Sequence, residues 1–359
     1  PVGFIKAYSA VLGQILQGAK RQGANIAVLN VDHPDIVEFI TMKDQDGTIK
    51  NFNISVGVTD KFMEAVVKDA NWDLISPRTG EVYRKVKAKE LFNLITEHAW
   101  ISGDPGLAFL DRLEEDNPTP TKGVLNATNP CGEIPLLPYE SCNLASICLH
   151  NHLIEKKNEN GEVTYEIDWD DLKKSVKLGV RFLDDMIEVN TYALKEIEDM
   201  VKNGNRRIGL GVMGLAHMFY MMRIPYNSKE AVALSGRLAK FIHQNAQEAS
   251  SELAEVRGTF PNYDISIYAG TAERYRNCAV TMVAPTGTIS MLADTSSGIE
   301  PVFSLVILRK TFNEDNRDNR PSREFMIVDP MFESAIKEAD LSEVTRKSDG
   351  KKLKKVEDV

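Results

Sequence analysis

The sequence predicts an α/β fold that contains a substantial amount of parallel sheet. Short apolar runs with the composition of buried strands alternate with longer stretches in which apolar residues recur at helical spacing. Glycine- and proline-containing stretches such as AKRQGAN and SGDPG separate these segments. Strands that alternate with helices are typical of parallel sheets, in which a helix connects each strand to the next.

The first part of the chain shows this alternation most clearly. Residues 3–19 carry apolar side chains on one helical face, and AKRQGAN at residues 19–25 ends the predicted helix. Asp32 is the predicted N-cap of the next helix, with Pro34 in its first turn. The other elements predicted here are the strands IAVLNV (26–31) and FNISVGVT, and the helices DHPDIVEFI, DKFMEAVVKD and KAKELFNLITEHAWI.

The pattern continues to about residue 308. A polar hairpin is predicted around residues 160–168, and WDDLKKSVKLGVRFLDDMIEVN and residues 229–257 predict long helices. CAVTMVAPTGTIS predicts a strand, a loop and the start of a helix. We therefore expect residues 1–308 to form the α/β domain. Residues 309–359 are polar and charged, and we expect a loop or a partly disordered segment there.

Composition and charge narrow the class of protein. The chain has 359 residues, of which 43% are hydrophobic and 26% charged, as in ordinary folded enzymes. The net charge of −9 gives no reason to expect binding of a nucleic-acid polymer, which usually requires a basic face. A glycine-rich loop can still bind the phosphate of a single nucleotide. Four cysteines predict a reducing, cytoplasmic location, and no apolar run predicts a membrane span. Because the chain opens on PVGFIKAYSA without an initiator methionine, we expect an internal segment of a longer protein.

The stretch NPCGE places Asn129, Cys131 and Glu133 at alternate positions, and Cys142 follows in SCNLAS. In an extended segment alternate residues project to one side, while Pro130 favours a loop or finger over a central strand. The thiol can act as a nucleophile or exchange a hydrogen atom, the carboxylate can accept a proton, and the amide can hold a hydroxyl group. The alternative interpretation is that Cys131 is a small buried hydrophobe and Glu133 a surface charge.

The cysteine spacing does not favour a metal site. No C-x-x-C pair is present, and the histidines His150 and His152, which flank Cys148 on a polar stretch, are only a weak signal. We therefore predict no metal ligands.

Two glycine-containing motifs raise the question of phosphate binding. APTGTIS at residues 284–290 combines hydroxyl groups with a glycine, so it predicts either an anion-binding turn or an ordinary capped turn. RRIGLGVMGLAH at residues 206–217 contains G-x-G-x-x-G, but no acidic residue of a dinucleotide-binding unit follows at the expected distance. We favour close packing between a helix and a strand at this second motif.

Six segments, in the same order, resemble the catalytic subunit of ribonucleotide reductase. The resemblance covers roughly residues 1–330, and the wording of NPCGE and APTGTIS is most similar to the adenosylcobalamin-dependent class. CNLAS in place of CNLGS is a small departure. The resemblance implies a ten-stranded α/β barrel with a central cysteine finger loop, incomplete in this chain. The segments are QGANIAVLNVDHPDIVEFI, SGDPGLAFLDR, NPCGEIPLLPYESCNLAS, NRRIGLGVMGLAH, APTGTIS and DTSSGIEPVFS.

The resemblance also implies roles for individual residues. Cys131 would carry a thiyl radical that abstracts the 3′-hydrogen of a ribonucleoside di- or triphosphate, Glu133 would take the proton of the 3′-hydroxyl, and Asn129 would hold the substrate hydroxyls. Cys142 would be one of two thiols that supply the reducing equivalents. The substrate phosphates would be bound by Pro285, Thr286, Gly287, Thr288, Ile289 and Ser290.

A second implied site binds the dNTP or ATP effector that sets substrate specificity. The helix before this loop would belong to the interface of a homodimer. The alternative interpretation of the loop is a solvated helix end. The implied loop residues are Lys20, Arg21, Gln22, Gly23, Ala24 and Asn25.

The implied cofactor is adenosylcobalamin, and the implied reductant is an external thiol such as thioredoxin or dithiothreitol. The second thiol of the pair would lie upstream of residue 1, while Cys148 and Cys278 are predicted to be buried structural thiols. We therefore expect the isolated chain to be inactive alone.

Two other functions stay open from the sequence. The chain could be a nucleotide-binding piece of a split reductase that needs a complementary chain, or the large subunit of a metal-radical (class I) reductase. A glycyl-radical enzyme would require a glycine-radical motif, which the sequence does not show.

Overall fold

The computed structural model describes residues 1–17, 21–44, 49–157, 159–311 and 323–338. The chain divides into two compact units, each built from three stretches of sequence. The first unit comprises Pro1–Asn143, Asp184–Ile208 and Ser250–Met282. The second comprises Leu144–Leu183, Gly209–Ala249 and Val283–Val359. The predicted division at residue 308 stays a prediction.

Helices and short strands alternate along the whole described chain. The helices are α1 (Val2–Leu12), α2 (Ile36–Thr41), α3 (Asp60–Val67), α4 (Ala88–Ser102), α5 (Leu110–Glu115), α6 (Trp169–Val189), α7 (Lys195–Met200), α8 (Leu215–Met221), α9 (Lys229–Arg257), α10 (Ile289–Leu292) and α11 (Pro330–Glu338). The strands are β1 (Leu16–Gln17), β2 (Arg21–Gln22), β3 (Asn25–Asn30), β4 (Phe52–Val58), β5 (Asn71–Ile75), β6 (Val82–Lys87), β7 (Gly106–Phe109), β8 (Ala127–Thr128), β9 (Pro135–Leu136), β10 (Asn143–Cys148), β11 (Leu153–Lys157), β12 (Val163–Ile167), β13 (Ile208–Met213), β14 (Val306–Thr311) and β15 (Arg323–Val328).

The first unit is built around a three-stranded parallel sheet in the order β3–β4–β7. The apolar side chains of the central strand β4 are all buried, because they pack against the helices that cover the sheet. Helix α3 begins where Thr59 accepts a hydrogen bond from the backbone N–H of Phe62 at 3.2 Å. Helices α2, α3 and α4 contribute Phe39, Phe62 and Ile95 to this core.

The second unit contains the paired strands β10 and β13, of which β13 is mostly buried. The predicted polar hairpin is confirmed as the antiparallel pair β11–β12, with Leu153 opposite Ile167. A second antiparallel pair, β14–β15, falls in the part of the chain for which a polar segment was predicted. The predicted long helices agree with α6 and α9, and the bounds of α9 are those expected.

Three local predictions are wrong. Helix α1 ends at Leu12, because Gly13 closes it with a hydrogen bond to Ser9 at 2.9 Å and the short hairpin β1–β2 follows. Asp32 does not cap α2, since a turn at residues 30–33 delays the helix and Asp35 becomes its N-cap. Residues 278–284 form no continuous strand of the described structure, because the backbone contacts of Cys278 with Asn205 and of Ala279 with Ile208 are followed only by an isolated bridge at Thr281.

The mixed α/β content agrees with the prediction, but the ten-stranded barrel is not observed. The sheets of the described residues contain two or three strands, and none of them closes. Closure requires each strand to pair along both edges, whereas β3 and β7 are the edges of their sheet. Within the same residues, no helix combines the length and apolar content that a membrane crossing requires.

Candidate active site

The segment that carries Cys131 is a tight hairpin loop. Strands β8 and β9 pair antiparallel, with Ala127 opposite Leu136, and the loop between them holds Asn129, Cys131 and Glu133. The N–H of Gly132 donates to the carbonyl of Asn129 at 2.9 Å, and the φ of Gly132 is +91°, which glycine adopts without strain. The predicted loop is therefore present, but a turn rather than extended alternation places its side chains.

Within this loop, Asn129 and Glu133 are in direct contact. The amide Nδ2 of Asn129 donates to Oε2 of Glu133 at 2.7 Å, and the Oδ1 of Asn129 accepts from the backbone N–H of Ile134 at 3.0 Å. These two bonds fix the amide and leave the second carboxylate oxygen of Glu133 for another donor. Cys131 lies exposed at the turn between them. A thiol, a carboxylate and an amide thus share one small loop.

The loop is anchored to the parallel sheet of the first unit. Asn53, on the central strand β4, donates from Nδ2 to the carbonyl of Pro130 at 2.6 Å. Because β4 is paired with a neighbouring strand on both edges, this bond ties the turn to the sheet of the first unit.

Cys142 follows β9 in the same unit and is partly buried. Burial raises the pKa of its thiol to about 12, against the opposing charge of Arg207. At neutral pH the group is therefore a protonated thiol, which carries a hydrogen atom but is a weak nucleophile. No disulfide joins the four cysteines, all of which lie in described segments.

The predicted phosphate loop lies in the second unit. Thr286 has a φ of +55°, and its hydroxyl accepts from the N–H of Gly298 at 2.7 Å. The side chains of Thr286 and Ser290 are buried, whereas Gly287 and Thr288 are exposed. Among the three hydroxyl groups of APTGTIS, that of Thr288 is thus the one placed at the surface.

The predicted effector loop is only partly described. Lys20 lies outside the described residues, and Arg21 and Gln22 form β2, paired with β1. Asn25 opens β3, and its Nδ2 donates to the carbonyl of Asn51 at 2.9 Å.

The comparisons with known proteins decide the family. The family model of the ribonucleotide reductase barrel domain matches residues 1–275 and 270–359. The chain belongs to this family.

The relatives of this barrel domain are larger proteins. A vitamin B12-dependent ribonucleoside-diphosphate reductase of Thermoplasma acidophilum is 42% identical over 339 residues, which are 94% of this chain and 42% of the relative. A protein of the same name from Mycobacterium tuberculosis is 46% identical over 310 residues, 86% of this chain and 42% of the relative. A vitamin B12-dependent ribonucleotide reductase of Streptomyces avermitilis is 30% identical over 375 aligned positions, 86% of this chain and 38% of the relative. The chain spans about two fifths of the length of these curated relatives.

In this barrel domain a buried polar cluster lies beside Cys142, and sequence reasoning missed it. Arg207 donates from Nε to Oε1 of Glu140 at 3.0 Å, and Asn205 donates to the same oxygen at 2.8 Å. All three residues are at most 7% exposed. One signal of this cluster was present in the sequence, namely the pair Arg206–Arg207 directly before an apolar strand. Arginines that are buried with such a strand need acidic partners, so the pair predicts buried carboxylates nearby.

A second buried network surrounds Arg206 in the same unit. Its guanidinium binds Asp184 at 2.7 Å and Glu188 at 2.7 Å, and Arg257 also contacts Asp184 at 2.8 Å. Burial, the largest single effect, disfavours the charge of Asp184, but the hydrogen bonds and positive charges of Arg206, Arg257 and Arg276 together outweigh burial and lower the pKa of this carboxyl below its usual range. This network ties together three separate stretches of the chain.

The histidines near Cys148 have different partners, all in the second unit. His150 Nδ1 lies 3.4 Å from the sulfur of Cys148, whereas His152 Nδ1 contacts Asp171 at 2.7 Å. His217 Nε2 lies 2.7 Å from Asp329. The described residues contain no group of three or more side chains arranged to hold a metal ion.

The glycine motif at 209–214 shows close packing in this unit. Gly214 has a φ of +79°, and a Cβ there would lie 2.6 Å from Oγ1 of Thr295. Gly179 of α6 faces Leu210 of β13, where a Cβ would lie 2.9 Å from a methyl group. Both contacts support the structural interpretation of the motif.

Proposed function

We propose that the protein reduces ribonucleoside di- or triphosphates to 2′-deoxyribonucleotides through a thiyl radical on Cys131. The observation that carries this proposal is the 2.7 Å contact between Asn129 and Glu133, on either side of an exposed Cys131, in a ribonucleotide reductase barrel domain. The names of the relatives support the same reaction, since each is called a reductase of ribonucleotides.

The three loop residues have different roles in the first half of the reaction. The sulfur radical of Cys131 takes the 3′-hydrogen atom of the ribose. Glu133, whose second carboxylate oxygen can accept a hydrogen bond, takes the proton of the 3′-hydroxyl. Asn129 holds the carboxylate by its amide and positions the ribose hydroxyls beside it.

Cys142 supplies one of the two hydrogens that the reduction consumes. Because the pKa of its thiol is raised to about 12, mainly by burial, the group holds its hydrogen at neutral pH until substrate is present. Two thiols together donate two electrons and two protons, the 2′-hydroxyl leaves as water, and the thiols end as a disulfide. An external thiol such as thioredoxin or dithiothreitol then restores them.

The loop at 285–290 is the proposed site for the substrate phosphates. Gly287 and Thr288 are exposed at the turn, so their backbone and hydroxyl donors can face an anion. The buried hydroxyl of Thr286 supports the turn through Gly298. Pro285, Ile289 and Ser290 complete the loop.

Adenosylcobalamin is the proposed cofactor, because the relatives are named as vitamin B12-dependent. It would supply the radical that initiates the reaction. The exposure of Cys131 fits a thiol that an external radical source must reach. Two cavities among the described residues have volumes of about 580 and 420 Å³, which suit drug-sized ligands. The corrin ring system of adenosylcobalamin is much larger than such ligands. We therefore assign no residues to hold the cofactor.

Further parts of the proposal concern assembly and regulation. Helix α1 and the turn after it expose Phe4, Tyr8, Val11 and Ile15, with 59–74% of each residue accessible, which supports a homodimer interface at this helix. The loop at 20–25 is the proposed contact for a dNTP or ATP effector. The ten-stranded closed barrel is proposed for the whole protein, with support from the family match. A cytoplasmic location stays a prediction from the few cysteines.

An activity assay tests the proposal. Labelled CDP and CTP are incubated with the protein, adenosylcobalamin and dithiothreitol, beside Cys131→Ala and a matched Cys148→Ala control. We expect deoxynucleotide from the whole protein and from its Cys148→Ala control, but none from the 359-residue chain alone or from Cys131→Ala. Reduction by Cys131→Ala at the unaltered rate would contradict the proposal.

The same assay separates the alternatives. If the chain works only when a complementary chain is added, the split reductase is correct. If cobalamin gives no product and a metal-radical subunit does, the reaction stands and the proposed class is wrong.

A further inference from the structure

Arg207 is a buried cation to which the proposed reaction assigns no role. It is 7% exposed, and its Nε donates to Glu140 at 3.0 Å. Its Nη2 is buried and has no hydrogen-bond partner among the described residues. Buried guanidinium groups normally satisfy all their donors, so an unused donor at this place calls for an explanation.

The surroundings hold Arg207 in place from both sides. The backbone N–H of Cys278 donates to the carbonyl of Asn205 at 3.0 Å, and the N–H of Ile208 donates to Ala279 at 3.1 Å. Its partner Glu140 is fixed in turn, because the N–H of Leu137 donates to Oε2 at 3.0 Å. The guanidinium is therefore a preorganised charge rather than a mobile side chain.

Two thiols lie within the electrostatic reach of this charge. Cys142 follows Glu140 by two residues, and Cys278 belongs to the segment paired with Asn205. Burial raises the pKa of each thiol, and the charge of Arg207 acts in the opposite direction on both. The other titratable groups that act on Cys142 are Cys278, Glu140 and Glu133, and each of them opposes the thiolate.

We propose that Arg207 is a positioning residue for the reducing thiol, whose fixed positive charge stabilises the sulfur of Cys142 whenever this sulfur becomes negative. This inference rests on the proposed function, because it assigns Arg207 to the redox cycle of Cys142. The buried Nη2 donor, which has no partner among the described residues, is available to a group that becomes negative in this cluster.

The negative sulfur arises when the disulfide is reduced. A thiolate of the external dithiol attacks the sulfur bonded to Cys142, the S–S bond breaks, and its electron pair leaves on Cys142. The mixed disulfide is then resolved by the second thiol of the reductant, which ends as a disulfide. The thiolates released on Cys142 and on its partner take up the two protons that the dithiol lost, so two electrons and two protons have passed to the protein. Arg207 favours this leaving group, and burial afterwards favours the neutral thiol.

The pH dependence of alkylation at Cys142 tests the proposal. Reduced protein is treated with iodoacetamide at several pH values at which it stays folded, and mass spectrometry follows the Cys142 peptide. No nucleotide or cobalamin is present, so the result does not depend on whether the protein reduces ribonucleotides. The variants are Arg207→Met, Arg207→Lys and Glu140→Gln, each checked for folding by circular dichroism.

Removing the positive charge of Arg207 and removing the negative charge of Glu140 should change the alkylation rate of Cys142 in opposite directions. We expect Arg207→Met to lower the alkylation rate of Cys142 by about tenfold or more, because one pKa unit changes the thiolate fraction about tenfold. Arg207→Lys should keep most of the rate, and Glu140→Gln should raise it. If Arg207 only anchored Glu140, Arg207→Met and Glu140→Gln would both loosen the site and shift the rate in the same direction.

An unchanged rate in folded Arg207→Met, or rates that rise together or fall together in Arg207→Met and Glu140→Gln, would overturn the proposal. If Arg207→Met does not fold, the comparison of Arg207→Lys with Glu140→Gln decides, since an unchanged or lower rate in Glu140→Gln contradicts the electrostatic role. Loss of turnover in Cys131→Ala with no effect of Arg207 on alkylation would leave the proposed function standing and refute this inference alone.

Discussion

Asp184 is the carboxylate on which the buried ion network of the first unit depends. It is fully buried, and it binds Arg206 at 2.7 Å, Arg257 at 2.8 Å and Asn277 at 3.1 Å. Asp184→Asn keeps the volume of the side chain and removes its charge. The variant therefore leaves Arg206 as a buried cation that has lost one of its two carboxylate partners.

The expected loss follows from this geometry. Removing one partner of a buried ion pair destabilises a protein by about 3–5 kcal/mol, because the remaining charge stays out of water. Since Glu188 still binds Arg206 at 2.7 Å, we expect the lower end, about 3 kcal/mol in the free energy of unfolding.

The loss should also depend on pH. Burial raises the pKa of Asp184, but the hydrogen bonds and charges of Arg206, Arg257 and Arg276 together outweigh this effect and lower the pKa overall. A lowered carboxyl pKa contributes stability above the unfolded value of about 3.9, and this stability is lost as the pH falls through the folded value. The difference between wild type and Asp184→Asn should therefore be complete at neutral pH and shrink in acid.

Urea unfolding followed by circular dichroism measures the effect. The matched control is Glu64→Gln, which removes an exposed pair with Lys68 at 3.0 Å and should change the free energy by about 0.5 kcal/mol or less. If Asp184→Asn is as stable as this control at neutral pH, the network does not hold the unit together and the reasoning is refuted.

Three further predictions concern catalysis, capping and packing. Glu133→Gln should lower kcat for ribonucleotide reduction by about 10²- to 10⁴-fold while the protein stays folded, because the amide cannot accept the proton; an unchanged kcat would show that another group does so. Thr59→Ala should lower the free energy of unfolding by about 1 kcal/mol, since it removes the cap of α3, and thermal unfolding checks this. Gly214→Ala should lower the free energy of unfolding by about 1–3 kcal/mol, because its φ is +79° and the new Cβ would lie 2.6 Å from Thr295. In Gly236→Ala, the control in α9, the new Cβ would meet nothing within 4 Å, so the free energy of unfolding should stay unchanged or rise. Thermal unfolding that finds Gly236→Ala less stable than Gly214→Ala would contradict the packing argument.

Elements defined by local pattern were predictable from the sequence. The strands β3 and β4 and the helix α9 follow from apolar periodicity alone, because their neighbours bury the faces that the pattern predicts. The early end of α1 was not predictable in this way. The apolar pattern in the sequence continues past Gly13, but the residues that follow form the hairpin β1–β2 instead of helix. Apolar spacing does not show which face is buried here, since Phe4 of α1 is 74% exposed.

The candidate site, like the fold, was predictable only in part. NPCGE indicated three chemically useful residues, and the structure brings two of them, Asn129 and Glu133, into direct contact. Their arrangement depends on a turn at Gly132 that the alternation argument did not include. The cluster of Glu140, Asn205 and Arg207 could not be found by spacing, because more than sixty residues separate Glu140 from Arg207 and only tertiary structure pairs them.

The central claim is that the sulfur of Cys131 takes the 3′-hydrogen of the substrate. The measurement that tests it most directly is reduction of CDP and CTP with deuterium at the 3′ position, in the presence of adenosylcobalamin and dithiothreitol. We expect slower reduction of the deuterated substrates than of unlabelled ones, and no reduction by a folded Cys131→Ser variant. Equal rates with both isotopes together with normal reduction by Cys131→Ser would contradict it.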